Sequence, residues 1–230
     1  MNVKLERLSE RIWVFPYEEK RDRPNLSYIK GDNWSLAVDA GHSVDHVKDF
    51  YKALKEEDLP LPKLTVLTHW HWDHTFGMHA VNGLTLANAK TNSYLADFKK
   101  RLDEEGPKFF LAMDPSIGYE YEDGKPVIVR TADTTFTGEV MLDAGNCPVR
   151  VFQAEAPHTD DSTLIYVPED KVLILGDCTG GTFPDWKFDK ELGNKLADTI
   201  KDIGPEICLP GHWNALSTDI IIKDLVEGEG

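Results

Sequence analysis

Five of the eight histidines fall in three short places, each at the end of an apolar run that reads as a β-strand. His69, His71 and His74 stand in Thr68-His69-Trp70-His71-Trp72-Asp73-His74 after Leu64 to Thr68; His158 lies beyond Val149 to Phe152, and His212 follows Ile207 to Leu209. If these imidazoles act together, the fold must bring chain positions from 69 to 212 to one place. The spacing H-x-H-x-D-H arises by chance in roughly one chain in a thousand of this composition.

The elements around these places can be read from pattern. Ile12 to Phe15, Ser27 to Lys30 and Trp34 to Asp39 predict strands, with Gly31-Asp32-Asn33 as the hairpin turn between the last two. Val44, Val47, Tyr51 and Leu54 keep helical spacing behind Ser43, a candidate N-cap, and Pro60 and Pro62 lie past the end. In the second half Val149 to Phe152, Leu164 to Val167 and Val172 to Leu175 predict strands, with a turn at Pro168-Glu169-Asp170-Lys171. A helix near Lys190 to Ile203 offers Leu192, Leu196, Ile200 and Ile203 to a core. Strand groups mixed with amphipathic helices in each half predict packed sheets with helices outside. Residues 100 to 137 fit this grammar least, and predict either an insertion over the site or a long connection that packs its aromatics down.

Composition bounds the class. The chain has 230 residues with 41% hydrophobic side chains, and 25 basic against 40 acidic groups give a net charge of −15. A single globular domain over residues 1–230 is expected, with a core that needs no disulfide staples. The negative field argues against nucleic acid as a partner, and Lys20, Arg21 and Arg23, the one local basic group, are expected in a solvated turn. The first residues hold no apolar signal-peptide region and no stretch is long enough to span a bilayer, so a cytoplasmic protein without membrane contact is expected. Cys147, Cys178 and Cys208 are odd in number and fit reduced thiols.

In an extended segment, residues two apart leave the same face about 7 Å apart, so His69 and His71 can turn onto one ion. By that reasoning Asp73 joins them, while His74 points elsewhere and suits a second metal. With His158, His212 and Asp177 in Gly176-Asp177-Cys178, the set offers five imidazoles and two carboxylates, enough for two open metal sites. Two cations roughly 3.5 to 4 Å apart lower the pKa of bound water toward about 7 and polarise a carbonyl, so no serine or cysteine nucleophile is required. The set lacks sulfur, which leaves Zn, Fe and Mn compatible.

From Asp39-Ala40-Gly41 through His69 to His74, His158 and Asp177 to Pro210-Gly211-His212, the order of motifs resembles the metallo-β-lactamase superfamily. The resemblance implies an α+β fold, a four-layer αββα sandwich with metals at one edge between two sheets. It also implies a split that spacing did not: His69, His71 and His158 around a first metal, Asp73, His74 and His212 around a second, Asp177 between them, and Asp39 as support. Two divalent metal ions, most simply Zn, are the expected cofactors, and Asp73 is the expected catalytic group, orienting the hydroxide and passing its proton on. His42, His46 and His79 are expected at the surface or capping helices. Asp39 is as well explained as a turn cap, Trp70, Trp72 and Trp213 as cover for the ligands, and Cys178 as a packed thiol.

Within that superfamily the signals divide. His71-Trp72-Asp73-His74-Thr75 is similar to the glyoxalase II motif, but after His212 the sequence has room for one helix, near Ser217 to Glu227, where glyoxalase II carries a larger glutathione-binding region. Pro157-His158-Thr159-Asp160-Asp161-Ser162 is more similar to lactamase and lactonase branches. The expectation is a metal-dependent hydrolase of a small ester, thioester or lactone. The alternatives are a persulfide dioxygenase with one iron, a β-lactamase, and a metal-binding member without catalysis.

Overall fold

The computed structural model describes residues 3–228. One sheet contains β1 (Glu6–Arg7), β2 (Ile12–Phe15), β3 (Leu26–Lys30), β4 (Ser35–Val38), β5 (Leu64–Val66), β6 (Leu84–Asn88) and β7 (Thr134–Phe136), in that spatial order. The other contains β8 (Glu139–Asp143), β9 (Pro148–Gln153), β10 (Thr163–Val167), β11 (Val172–Gly176), β12 (Ile207–Pro210) and β13 (Leu216–Ser217), again in sequence order. The helices are α1 (Val44–Glu56), α2 (Trp72–Thr75), α3 (Ala89–Glu105), α4 (Lys108–Leu111), α5 (Pro115–Glu120), α6 (Lys190–Ile203) and α7 (Thr218–Glu227).

Alternation along the strands builds the layers. Ile12, Val14, Ile29, Leu36 and Val38 pack against Val149, Val151, Ile165 and Ile174 in a core between the sheets. The opposite faces bind helices: Phe15, Leu26, Tyr28 and Ala37 meet Phe50 and Leu54 of α1, and Phe152, Leu164, Leu173 and Cys208 meet Leu196, Ile200, Ile221 and Leu225 of α6 and α7. This is the αββα sandwich. Helix α1 begins as expected, with the Ser43 side chain accepting from the amides of Asp45 and His46. Helix α6 has the expected bounds, capped by Asp189 and stopped by Gly204 in the left-handed region.

Strands β4, β5 and β6 run parallel, as do β11 and β12. The loops after β4, β5, β11 and β12, together with the one joining β9 to β10, carry Asp39, His69, Asp177, His212 and His158. Strand β5 stops at Val66, two residues before the expected end, so His69 and His71 lie in a loop and Asp73 rides the first turn of α2. The period-two grouping of Asp73 with His69 and His71 therefore had no strand to act on.

Of the basic group expected in a solvated turn, Lys20 is exposed and Arg21 half-buried, but Arg23 is not solvated. Arg23 is buried and donates two hydrogen bonds to Glu120, at 2.8 and 2.9 Å, and one to Asp49 at 3.0 Å. Ser43 donates to the same Glu120 carboxylate, which is also buried. His42 and His46, expected at the surface or capping helices, are likewise fully buried, and the cap of α1 is Ser43. The Arg21 carbonyl lies 2.9 Å from His42 Nδ1, and His46 Nδ1 accepts from the His42 amide. Burial keeps both imidazoles below the usual histidine range. The three cysteines are free and buried, and Cys178 packs in the core beneath α6. Among the described residues no helix is long and apolar enough to cross a membrane.

Candidate metal centre

The seven expected residues converge. One nitrogen or oxygen from each of His69, His71 and His158 lies within 4.8 Å of the others, and the same holds for Asp73, His74, Asp177 and His212. Within the first group His71 Nδ1 and His158 Nε2 are 2.9 Å apart. Within the second, Asp73 Oδ2 is 3.0 Å from His212 Nε2 and 3.1 Å from His74 Nε2. Asp177 Oδ2 faces both groups, 3.2 Å from His74 Nε2, 3.3 Å from His212 Nε2 and 3.9 Å from His158 Nε2.

Surrounding groups fix which nitrogen each ring presents. The Gly181 carbonyl accepts from His158 Nδ1 at 2.8 Å, leaving Nε2 with its lone pair. Asp39, at a left-handed φ of 64°, accepts from His74 Nδ1 at 2.8 Å and from the Thr68 amide and hydroxyl. Asp39 is thus a support for His74, and its carboxylate does not cap α1. Three buried donor atoms of the set, His69 Nε2, His74 Nε2 and Asp177 Oδ1, have no hydrogen-bond partner among the described residues. An orphaned buried polar atom is costly unless something completes it, and bound cations would complete all three. The donor set fits a pair of divalent metals.

Electrostatics divide the groups in the same way. Burial, and then the neighbouring imidazoles, hold His69 well below the usual histidine range, and His71 is pushed down to about 3. These rings stay neutral, as metal ligation demands. In the second group burial opposes charge on every member, yet Asp177, Asp73 and Asp39 outweigh it at His74, and His212 is raised to about 10. The same attraction keeps Asp73 and Asp177 well below the usual carboxylate range despite their burial. Asp22, 3.8 Å from His212 Nδ1, is pushed up to about 7 by burial and by Asp73.

The two groups open onto a cavity of about 810 Å³ whose lining includes His71, Asp73, His158, Asp177 and His212. Its walls are aromatic: Tyr17, Trp72, Phe183, Trp186 and Trp213. Trp72 is buried as expected, stacked on His71. Trp213 is not a cover for ligands. It is 58% exposed on the cavity wall, as is Trp186 at 55%. Trp186, which sequence reasoning missed, stacks on His158 with ring planes 17° apart. Its position in Phe183-Pro184-Asp185-Trp186, soon after the Asp177 motif, was the available signal.

The chain is similar to known proteins over nearly its whole length. A family model described as the metallo-beta-lactamase superfamily matches residues 21–212. The chain belongs to the metallo-β-lactamase superfamily. Its curated relatives include proteins named acyl-coenzyme A thioesterase MBLAC2, from Gallus gallus (22% identical over 219 residues, 90% of this chain and 78% of that one) and from Homo sapiens (19% over 222 residues, 90% and 79%). Among solved structures, a metallo-beta-lactamase from Pontibacter korlensis superposes with a TM-score of 0.72 at 17% identity, covering 97% of each chain. A metallo-beta-lactamase family protein from Thermus thermophilus gives 0.70 at 16% identity, covering 97% of this chain and 80% of that one. Superfamily membership and the thioesterase-named relatives together support a hydrolase.

In this metallo-β-lactamase fold Gly211 is a close-approach glycine. A Cβ built there would meet Asp177 Oδ1, with His74 Cε1 at 3.1 Å. Gly211→Ala is therefore expected to push the Asp177 carboxylate away from both groups and to cut metal affinity by about 10 to 100-fold, as displaced supports of metal ligands do. Titration with a chromophoric zinc chelator measures it; wild-type affinity would mean that Asp177 is not needed where it stands.

Proposed function

We propose that this metallo-β-lactamase-fold chain hydrolyses a small acyl compound, an ester, thioester or lactone, at a centre of two divalent metal ions. The carrying observation is the pair of ligand groups sharing Asp177 in an aromatic-walled cavity. His69, His71 and His158 would hold one ion, Asp73, His74 and His212 the other, with Asp177 between. The relatives named as acyl-coenzyme A thioesterases support the acyl class, and the sulfur-free donor set suits zinc, with iron and manganese compatible. Bound there, the ions would supply hydroxide at neutral pH and polarise the carbonyl.

The chain's own groups do the rest. The aromatic walls exclude water and seat the acyl group beside the carbonyl's place of attack. Asp73, whose carboxylate lies in the cavity lining between the two histidines of its group, orients the attacking water and carries its proton to the leaving atom. For a thioester the water oxygen joins the acyl carbon, the carbon–sulfur bond breaks, and the water protons end on the acid and the thiol. Met113 and Asp114, between α4 and α5, and Ser116, in the first turn of α5, reach the same cavity and would shape its specificity.

Metal analysis of freshly purified protein, paired with a panel of esters, thioesters and lactones, tests this reading. Two metal equivalents with acid release support it. One iron with consumption of dioxygen on addition of a persulfide would replace it with the oxygenase reading, and bound metal without turnover would leave a binding protein. Chelation is expected to destabilise the fold as well, because only the native chain assembles the donors. A ligand at a hundred times its Kd contributes about 2.7 kcal/mol, and at roughly 2 to 4 °C per kcal/mol for a chain of this size the melting temperature falls by roughly 5 to 10 °C. Calorimetry before and after verified metal removal checks this, and an unchanged Tm would contradict it.

A further inference from the structure

The cavity wall carries a sign as well as a shape. Beyond the ligand groups its carboxyl groups are Glu19, Asp114 and Asp22, the last facing His212 at 3.8 Å, and no lysine or arginine lines it among the described residues. Glu19 is exposed and has no ion-pair partner among the described residues. Asp114 is also exposed while it caps α5. The nearest basic group in sequence is committed elsewhere: Arg21 pairs with Glu18 at 2.9 Å and with Glu120 and Glu122, Arg23 with Glu120 and Asp49. Lys20 Nζ sits 4.7 Å from the Tyr119 ring. Among the described residues of the wall, no free cation waits for a phosphate.

The same cavity lining holds aromatic faces. Trp186 and Trp213 are more than half exposed, and an exposed indole is an apolar surface that a ligand would cover. Aromatic faces with carboxylates nearby are the chemistry that receives a quaternary ammonium group, and repel a diphosphate. We infer that the cavity selects an acyl compound whose leaving group ends in a cationic ammonium centre, with the carbonyl over the ligand groups and the cation against Trp186 and Trp213 on the acidic wall. This rests on the acyl-hydrolase reading and departs from a coenzyme A leaving group, for whose phosphates the described lining offers no lysine or arginine.

The zinc-reconstituted full chain is assayed with butyryl thioesters of thiocholine, of its uncharged carbon isostere 3,3-dimethylbutanethiol, and of coenzyme A. The expected kcat/KM is highest for thiocholine, about tenfold above the isostere, with coenzyme A below both. Glu19→Gln is expected to lower the thiocholine-to-isostere ratio about threefold at low salt. Tryptophan fluorescence with choline against 3,3-dimethylbutanol reads binding without turnover; choline binds more tightly, and Trp213→Ala weakens it. A thiocholine ester no better than its isostere, a preference for coenzyme A, or choline binding no tighter than the alcohol each overturns the inference. If none of the three esters is hydrolysed while choline still binds more tightly, the acyl-hydrolase reading falls and the cation site stands.

Discussion

Asp73→Ala is expected to lower kcat/KM by at least about a thousandfold, since it removes a metal donor and a proton carrier together and each is worth several kcal/mol of barrier. Asp73 sits between His212 and His74, at 3.0 and 3.1 Å, so its loss strips the one carboxylate that both rings of that group share apart from Asp177. Asp73→Asn separates the two duties. The amide oxygen can still face a metal while the group no longer accepts a proton, so kcat is expected to fall by about 10² to 10⁴ with metal content retained. Steady-state kinetics with excess metal, and metal analysis of both variants, give the answer. Near-wild-type kcat in metal-replete Asp73→Ala would remove this residue from the chemistry.

The sandwich was legible because its strands alternate and its helices carry caps. Val172 to Leu175 and Leu164 to Val167 each missed one residue of the observed strands, and Lys190 to Ile203 has the observed bounds, set by Asp189 and Gly204. Short or solvent-facing strands were lost. Strand β8, Glu139–Asp143, exposes every second residue and pairs only at the sheet edge, so its alternation carries little apolar signal. Residues 100 to 137 looked like either a cover or packed connection, and their side chains divide: Phe110, Ile117 and Tyr121 are buried in a cluster with Trp72 and Phe76, while Met113, Asp114 and Ser116 reach the cavity.

The candidate site was visible as residue types, and its partition was not visible as spacing. Where β5 ends decides whether Asp73 faces His71 or His74, and a three-residue strand followed by a helical turn cannot be told from a longer strand by counting. The acidic aromatic wall was hidden for another reason. Tyr17, Trp186 and Trp213 come from three segments that only the tertiary fold unites. Arg23 and Glu120, 97 residues apart, were unreadable for the same reason, and the basic character around position 21 suggested solvent instead.

Arg23→Ala should be the costliest single change away from the ligands. It leaves the Glu120 carboxylate buried, with Ser43 donating and Arg21 3.7 Å away, but without the bidentate partner that offsets its burial. Breaking a buried pair from one side costs about 3 to 5 kcal/mol, which at roughly 2 to 4 °C per kcal/mol lowers the melting temperature by roughly 6 to 20 °C. The double variant Arg23→Met/Glu120→Met removes both charges and is expected to recover most of that loss, because no buried charge is then left without its partner. The damage should also reach the cavity. Asn25, two residues on, donates from its side chain to the carbonyls of Pro210 and Trp213, at 2.8 and 2.7 Å, and its backbone amide donates to the Gly211 carbonyl, so the segment from Tyr17 to Asn25 holds the loop that carries His212. A loosened Arg23 segment therefore raises KM and lowers metal affinity together, whereas a purely local defect would change Tm alone. Thermal melts of the single and double variants, read beside zinc titration, distinguish these outcomes. A single variant costing less than about 1 kcal/mol would mean that water reaches Glu120 and that the pair behaves as a surface salt bridge.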